Sequence, residues 1–163
     1  VLTRENQYSA VMDIISLNIE NFCYNDTVVS ESRGIFNSVA IKSDDTVCVA
    51  YMNSDTNDLH YACNTGSCAG WSVETVDTNG SVGWYASLAF NSQDEPYIAY
   101  HDATNTTLKV AVKRNDAWEL MVVDGENGTD VGAYSDIAID HNDQVHISYA
   151  DSTNGAIRYA TGN

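Results

Sequence analysis

Four histidines, His60, His101, His141 and His146, are the side chains of this 163-residue chain best suited to proton transfer or metal ligation near neutral pH. None stands in a catalytic spacing. There is no Gly-x-Ser-x-Gly, no His-Glu-x-x-His and no Gly-Lys phosphate cradle. His101 and Asp102 end a strand-like run, PYIAYHD, where a ligand site is commonly placed, so both are candidate ligand-binding residues. Asp102 shares its place in the chain's repeat with Asn53 and Asp151, which favours a turn-forming role for it. Three acidic turns follow: Asp44-Asp45, Asp94-Glu95 and Asp140-His-Asn-Asp143. Asp140, Asn142 and Asp143 offer the oxygen ligands that calcium takes, so calcium is the one cofactor the sequence admits. Asx-turns account for the same residues without an ion. An acidic chain could also supply a carboxylate pair for glycoside hydrolysis. The sialidase signature Ser-x-Asp-x-Gly-x-Thr-Trp is absent, and a non-enzymatic role is expected.

The cysteines are Cys23, Cys48, Cys63 and Cys68. Cys63 and Cys68 bracket Asn-Thr-Gly-Ser, a turn-forming tetrapeptide, and a disulfide between them is expected. His60 alone is too few ligands for zinc. Trp71, Trp84, Tyr85, Trp118 and Tyr134 are flat faces on which a sugar ring could stack; packing between repeats explains all but Trp84 at least as well. Trp84 stands where the other repeats carry Ile35 and Ala133, so it is the aromatic that the scaffold does not require.

The elements that must position these residues repeat. SVAIKSDDTVCVAYMNSDTNDLHYA from Ser38, SLAFNSQDEPYIAYHDATNTTLKVA from Ser87 and DIAIDHNDQVHISYADSTNGAIRYA from Asp136 align without a gap at a period of 49 residues. Ala40, Ala89 and Ala138 coincide, as do Asp45, Asp94 and Asp143, and Tyr51, Tyr100 and Tyr149. Upstream, Gly34, Gly83 and Gly132 each precede an aromatic by two: Phe36, Tyr85, Tyr134. Short alternating runs between turn clusters read as four strands per unit. Strand A has small Ala between larger apolar residues. Strand B is of the PYIAY type. Strand C places His60, Lys109 and Arg158 on its wet face. Strand D runs from Trp71 to Asp77 or from Trp118 to Asp124.

These units resemble the blade repeats of the form G-x-Y-x-S-L-A-x-D…P-H-I-x-Y-x-D…L-x-Y-A of secreted and surface proteins of bacteria and archaea. The pattern is carried here by GWYASLAFNSQDEPYIAYHD and GAYSDIAIDHNDQVHISYAD. The resemblance implies an all-β fold of tandem four-stranded antiparallel blades, β-propeller-like, with about three blades in the chain. The first copy departs most, with Thr46-Val47 at the Pro position and Asn53 at the Asp.

Residues 1–21 are an N-terminal extension readable as helix or strand, since Tyr8, Val11, Met12, Ile15 and Ile19 fit one period and Val11, Asp13, Ile15, Leu17 and Ile19 the other. The repeat domain is 22–163: an orphan strand at 22–30, units at 34–77 and 83–124, and an incomplete unit at 132–160. Phe22 lies 49 residues before Trp71, so 22–30 reads as a strand D, while the third unit stops after strand C. Unpaired edges of this kind invite strand exchange between chains, into a ring or a filament.

Seven Lys and Arg stand against 23 Asp and Glu, a net charge of -16, which argues against nucleic acid or an anionic membrane as partner. No apolar run is long enough for a membrane-spanning helix. The first residue, Val1, and four glycosylation sequons at Asn25, Asn79, Asn105 and Asn127 fit a secreted or cell-surface protein. The expectation is a self-assembling extracellular repeat protein acting through its surfaces. A lectin-like carbohydrate binder comes second and a glycoside-active enzyme third.

Overall fold

The computed structural model describes residues 28, 34–64, 70–125 and 128–162, and the account below concerns those residues. They hold eleven strands and no helix. The first sheet takes β1 (Gly34–Ile41), β2 (Val47–Asn53), β3 (Asp58–Asn64) and β4 (Trp71–Asp77). The second takes β5 (Trp84–Phe90), β6 (Pro96–Asp102), β7 (Thr107–Arg114) and β8 (Ala117–Asp124). The third takes β9 (Val131–Ile139), β10 (Val145–Asp151) and β11 (Ala156–Gly162). Each sheet is an antiparallel meander with neighbours in chain order, consistent with successive propeller-like blades. The extension 1–21 lies outside the described residues, as does the strand expected at 22–30 apart from Val28.

The repeat is written into the backbone as well as the side chains. Residues forced into left-handed conformations recur at the same place in every sheet. They are Phe36, Tyr85 and Tyr134 in the first strand, and Asp45, Asp94 and Asp143 in the first turn. Asn57, Thr106 and Gly155 follow in the second turn. At Phe36 and Tyr85 the strand bulges, since the register skips between Ile35 and Ser38 and between Trp84 and Ser87. The bulge turns the aromatic ring across the sheet stack. Phe36 and Tyr85 stand 4.7 Å apart between ring centroids, and Tyr85 and Tyr134 4.3 Å.

Gly83 and Gly132 earn their place by geometry. Both have positive φ, and a Cβ would meet the Leu59 Cα at 3.1 Å and the Leu108 Cα at 2.8 Å, so each lets one sheet's backbone press on the next.

The core lies between the sheets. Leu88, Ile98 and Tyr100 of the second sheet join Ala50, Leu59 and Tyr61 of the first in one buried cluster. Ile137, Ile147 and Tyr149 of the third join Ala99, Leu108 and Val110 of the second in another. A polar tie crosses each interface. Asp77, at the end of β4, accepts from the Tyr100 hydroxyl at 2.7 Å and pairs with the Lys109 ammonium. Asp124, at the end of β8, accepts from the Tyr149 hydroxyl and the Arg158 guanidinium, each at 2.8 Å. Lys109 is therefore not on a wet face as the strand pattern suggests. It is buried, because alternation along a strand distinguishes two faces but not which of them a neighbouring sheet covers.

The disulfide also differs from expectation. Cys63 bonds Cys48, not Cys68; Cys48 and Cys63 face each other across the β2–β3 register, with Cα atoms 4.1 Å apart. The β2–β3 hairpin, rather than the Asn-Thr-Gly-Ser loop, brings the two sulfurs together. At a sequence separation of 15, the loop-closure effect is about 3 kcal/mol. Cys23 and Cys68 lie outside the described residues.

Candidate functional site

The repeat provides a control for finding function. A feature present at both internal interfaces is scaffold, and a feature present at one needs another explanation. Each interface opens at its outer end into a cleft. The first, about 390 Å3, is lined by Lys42, Tyr61, Glu74, Glu95, Pro96 and Lys113 among others. The second, about 200 Å3, has Val110, Met121, Val145 and Gly162 in the matching places. Tyr61 faces Glu74 across β3–β4, and Val110 faces Met121 across β7–β8. At these matching places one interface carries polar, ionisable groups and the other aliphatic ones, although the second cleft also takes in Tyr97 and Arg114, which bond each other at 2.8 Å. Packing alone accounts for the second set and not for the first.

Within the polar cleft, Glu74 is held in place. Both its oxygens accept from the Lys113 ammonium at 2.8 Å, and one accepts from the Trp118 indole N–H at 3.1 Å. Trp118 in turn meets Tyr61 edge-on, with centroids 5.4 Å apart. Among the described residues the buried Tyr61 hydroxyl has no hydrogen-bond partner, a state that costs about 1–3 kcal/mol. Burial, reinforced by the Glu74 charge, raises its pKa far above the usual tyrosine value, so it stays a neutral O–H. Lys42 and Glu95 border the same opening. The arrangement offers acceptors, donors and an aromatic pair in one recess. That is the donor-and-acceptor mix that a polyhydroxylated ligand requires. The cysteine that flanks it, Cys63, is anchored by its bond to Cys48.

Of the residues singled out from sequence, Trp118, Asp94 and Glu95 belong to this cleft or its wall, and Trp84, His101 and Asp102 lie elsewhere. Trp84 and His101 are direct cross-strand partners on β5 and β6, so the fold does bring them together. The Trp84 indole donates to Ser81 Oγ at 2.8 Å and its ring lies 5.0 Å from Phe36. His101 is buried with its Nε2 3.2 Å from an Asp130 oxygen, a contact without hydrogen-bond alignment that becomes an ion pair only when the ring is protonated. Burial lowers the His101 pKa, and Asp130 only partly opposes this. Asp102 points into its own turn. Its Oδ1 accepts from the Thr104 and Asn105 N–H groups, each at 3.0 Å, and its Oδ2 from the Asn105 side chain at 2.9 Å.

The turn proposed for calcium spends its carboxylates on the protein. Asp140 Oδ1 accepts from the N–H groups of Asn142 and Gln144 at 2.8 and 3.0 Å. Asp143 accepts from Ser92 N–H and Oγ at 2.7 and 2.6 Å. Among the described residues, no group of three or more His, Cys, Asp or Glu side chains is placed to hold a metal ion.

Sequence reasoning missed Tyr61, Glu74 and Lys113. Glu74 and Lys113 break the repeat just as Trp84 does, against Met121 and Gly162. Their signal was present, but only the tertiary structure shows that these two breaks share one cleft with Tyr61.

No family model matches the sequence, and no curated protein matches it. Solved structures do resemble the fold. A fucose lectin from Kordia zhangzhouensis, in complex with methyl-fucoside, is 13% identical with a TM-score of 0.53, over 77% of this chain and 91% of the lectin. An alpha-L-arabinofuranosidase from Fusarium graminearum, in complex with an iminosugar inhibitor, is 15% identical with a TM-score of 0.59, over 84% of this chain and 47% of the enzyme. A mutant of AofleA from Arthrobotrys oligospora is 17% identical with a TM-score of 0.54, over 80% and 38%. At these identities the likeness is one of fold: an all-β stack of antiparallel, blade-like sheets of the kind found in a fucose lectin and in a glycosidase.

Proposed function

We propose that this chain is a lectin-like carbohydrate-binding module that acts outside the cell, with its site in the cleft between the first two sheets. The observation that carries this reading is the chemical asymmetry of two equivalent clefts, Tyr61–Glu74–Lys113 in one and Val110–Met121–Gly162 in the other. The fold supports it, since a fucose lectin shares it. The disulfide supports the compartment, because such bonds persist in oxidising surroundings. Among the described residues no helix is long and apolar enough to cross a membrane.

Binding rather than turnover suits Glu74. Both its oxygens are engaged by Lys113 and Trp118, which leaves it an anchor for ligand hydroxyls rather than a proton donor. Strand exchange between chains, the first expectation from sequence, draws no support from the matched proteins.

The test is a glycan array followed by calorimetric titration of the best hit with wild type, Glu74→Gln and Met121→Gln. Wild type and Met121→Gln bind alike, and Glu74→Gln loses about tenfold, the worth of one charge-assisted hydrogen bond. Equal affinity of all three proteins removes the site from this cleft. Hydrolysis of aryl glycosides by wild type but not by Glu74→Gln would replace the lectin reading with the enzymatic one.

A further inference from the structure

The two internal interfaces are copies of one another in their polar ties as well as their core. The Leu88 N–H donates to Ser38 Oγ, and the Ile137 N–H to Ser87 Oγ, each at 3.1 Å. Asp94 accepts from Ser43 N–H and Oγ at 2.9 and 2.5 Å, and Asp143 accepts from Ser92 in the same way. Each interface therefore has a leading half, with a left-handed aspartate and an apolar residue on the first strand. Each also has a trailing half, with a donor in the first turn and an apolar pair on the third strand.

The outer sheets carry these halves unused. On the third sheet Ile157 is 86% exposed and Tyr159 62%, where their equivalents Leu59 and Leu108 are 0% and Tyr61 and Val110 4%. On the first sheet Val39 is 64% exposed, against 6% for Leu88 and 7% for Ile137. Ile41 beside it is exposed too. Asp45 has the left-handed conformation of Asp94 and Asp143 but, among the described residues, no serine to bind. The donor position that follows Ser43 and Ser92 in the repeat is His141, exposed at the far end of the molecule.

We propose that a second copy of this chain docks here, the open face of its first sheet on the open face of the third. Ile157 and Tyr159 then cover Val39 and Ile41, as Leu59 and Tyr61 cover Leu88 inside the molecule. His141 meets Asp45 where the interior uses serine and aspartate. This donor–acceptor match between the two ends, together with apolar residues on both, selects a copy of the chain over an unrelated apolar partner. The interface joins two different patches, so copies either close a ring or continue as a fibre. It does not involve the sugar cleft and stands or falls apart from it.

Light scattering on the full chain over a wide range of concentration tests the proposal. Wild type reaches two or more chain masses; a fixed multiple marks a ring and a growing one a fibre. Ile157→Glu and Val39→Glu change exposed residues, so each keeps its strand content by circular dichroism and falls to a single chain mass. Mixing the two restores a complex of one copy each, because each variant retains the face that the other has lost. A wild type that stays at one chain mass at every concentration overturns the proposal. So does a pair of variants that associate like wild type, or that fail to associate when mixed.

Discussion

At the scale of single residues, the most informative atom is the Tyr61 hydroxyl. A buried O–H with no partner destabilises the fold, and nothing in the scaffold explains keeping it, since the equivalent Val110 serves the same core position without one. Tyr61→Phe separates the two roles by sign. Thermal stability rises by about 1 kcal/mol as the unsatisfied group is removed, while affinity for the glycan that binds the wild type falls. A calorimetric scan and a titration on the same sample read both. A drop in stability with affinity unchanged would show that the hydroxyl serves the fold. Asp102 is the opposite case. Its hydrogen bonds all lie within its own turn, with the Lys109 ammonium 3.9 Å from one oxygen, and it belongs to that turn together with Asn53, which accepts from the Asp55 N–H, and Asp151, which accepts from Asn154.

At the scale of elements, glycines and bulges decide how one sheet meets the next. Gly132→Ala forces a Cβ into the Leu108 backbone at a φ of +102° and costs on the order of 1–3 kcal/mol. That lowers the melting temperature by several degrees, at about 2–4 °C per kcal/mol for a chain of this size. Gly155→Asn is the matched control. Its φ is also positive, nothing lies within 4 Å, and the first sheet already carries Asn57 at the equivalent place with the same φ of 63°. A melting temperature within a degree or so of wild type is expected for it. Equal losses in both variants would mean that backbone strain, and not inter-sheet contact, sets the cost.

At the scale of the whole molecule, the ties between sheets make stability depend on pH in two stages. Burial lowers the pKa of His101, against the pull of Asp130, and of His60, against that of Asp58. A histidine with a depressed folded pKa contributes stability in full above its unfolded value of about 6.5, and that contribution is lost as pH falls below it. Burial raises the Asp77 carboxyl, but the hydrogen bonds from Lys109, Asn79 and Tyr100 more than offset it and hold it below 3.8. Its contribution persists above that value and is lost as pH falls through the folded pKa, in the strongly acid range. Melting temperature measured from neutral to strongly acid pH should therefore fall first below about pH 6.5 and again in acid. His101→Gln should shrink the first fall and leave the second. A single fall confined to strongly acid pH would show that the buried histidines carry none of the dependence.

The sequence by itself determined the unit: its 49-residue period, its strands, and the turns that Asp, Asn and Gly punctuate. These are local matters, set by alternation along a strand and by which residues accept left-handed backbone, as at Asn57, Asp94 or Gly132. Trp71–Asp77 and Pro96–Asp102 were legible as strands for that reason. What lies between units was not legible, because alternation does not say which face a neighbouring sheet will cover. The tertiary structure alone decided that Lys109 is buried against Asp77 and that Cys48, across a hairpin, is the partner of Cys63. It alone gathered Tyr61, Glu74 and Lys113, far apart in the chain, into one cleft. Their meeting depends on the close approach of two sheets, and that approach is fixed by inter-sheet packing and not by any local preference of the residues themselves.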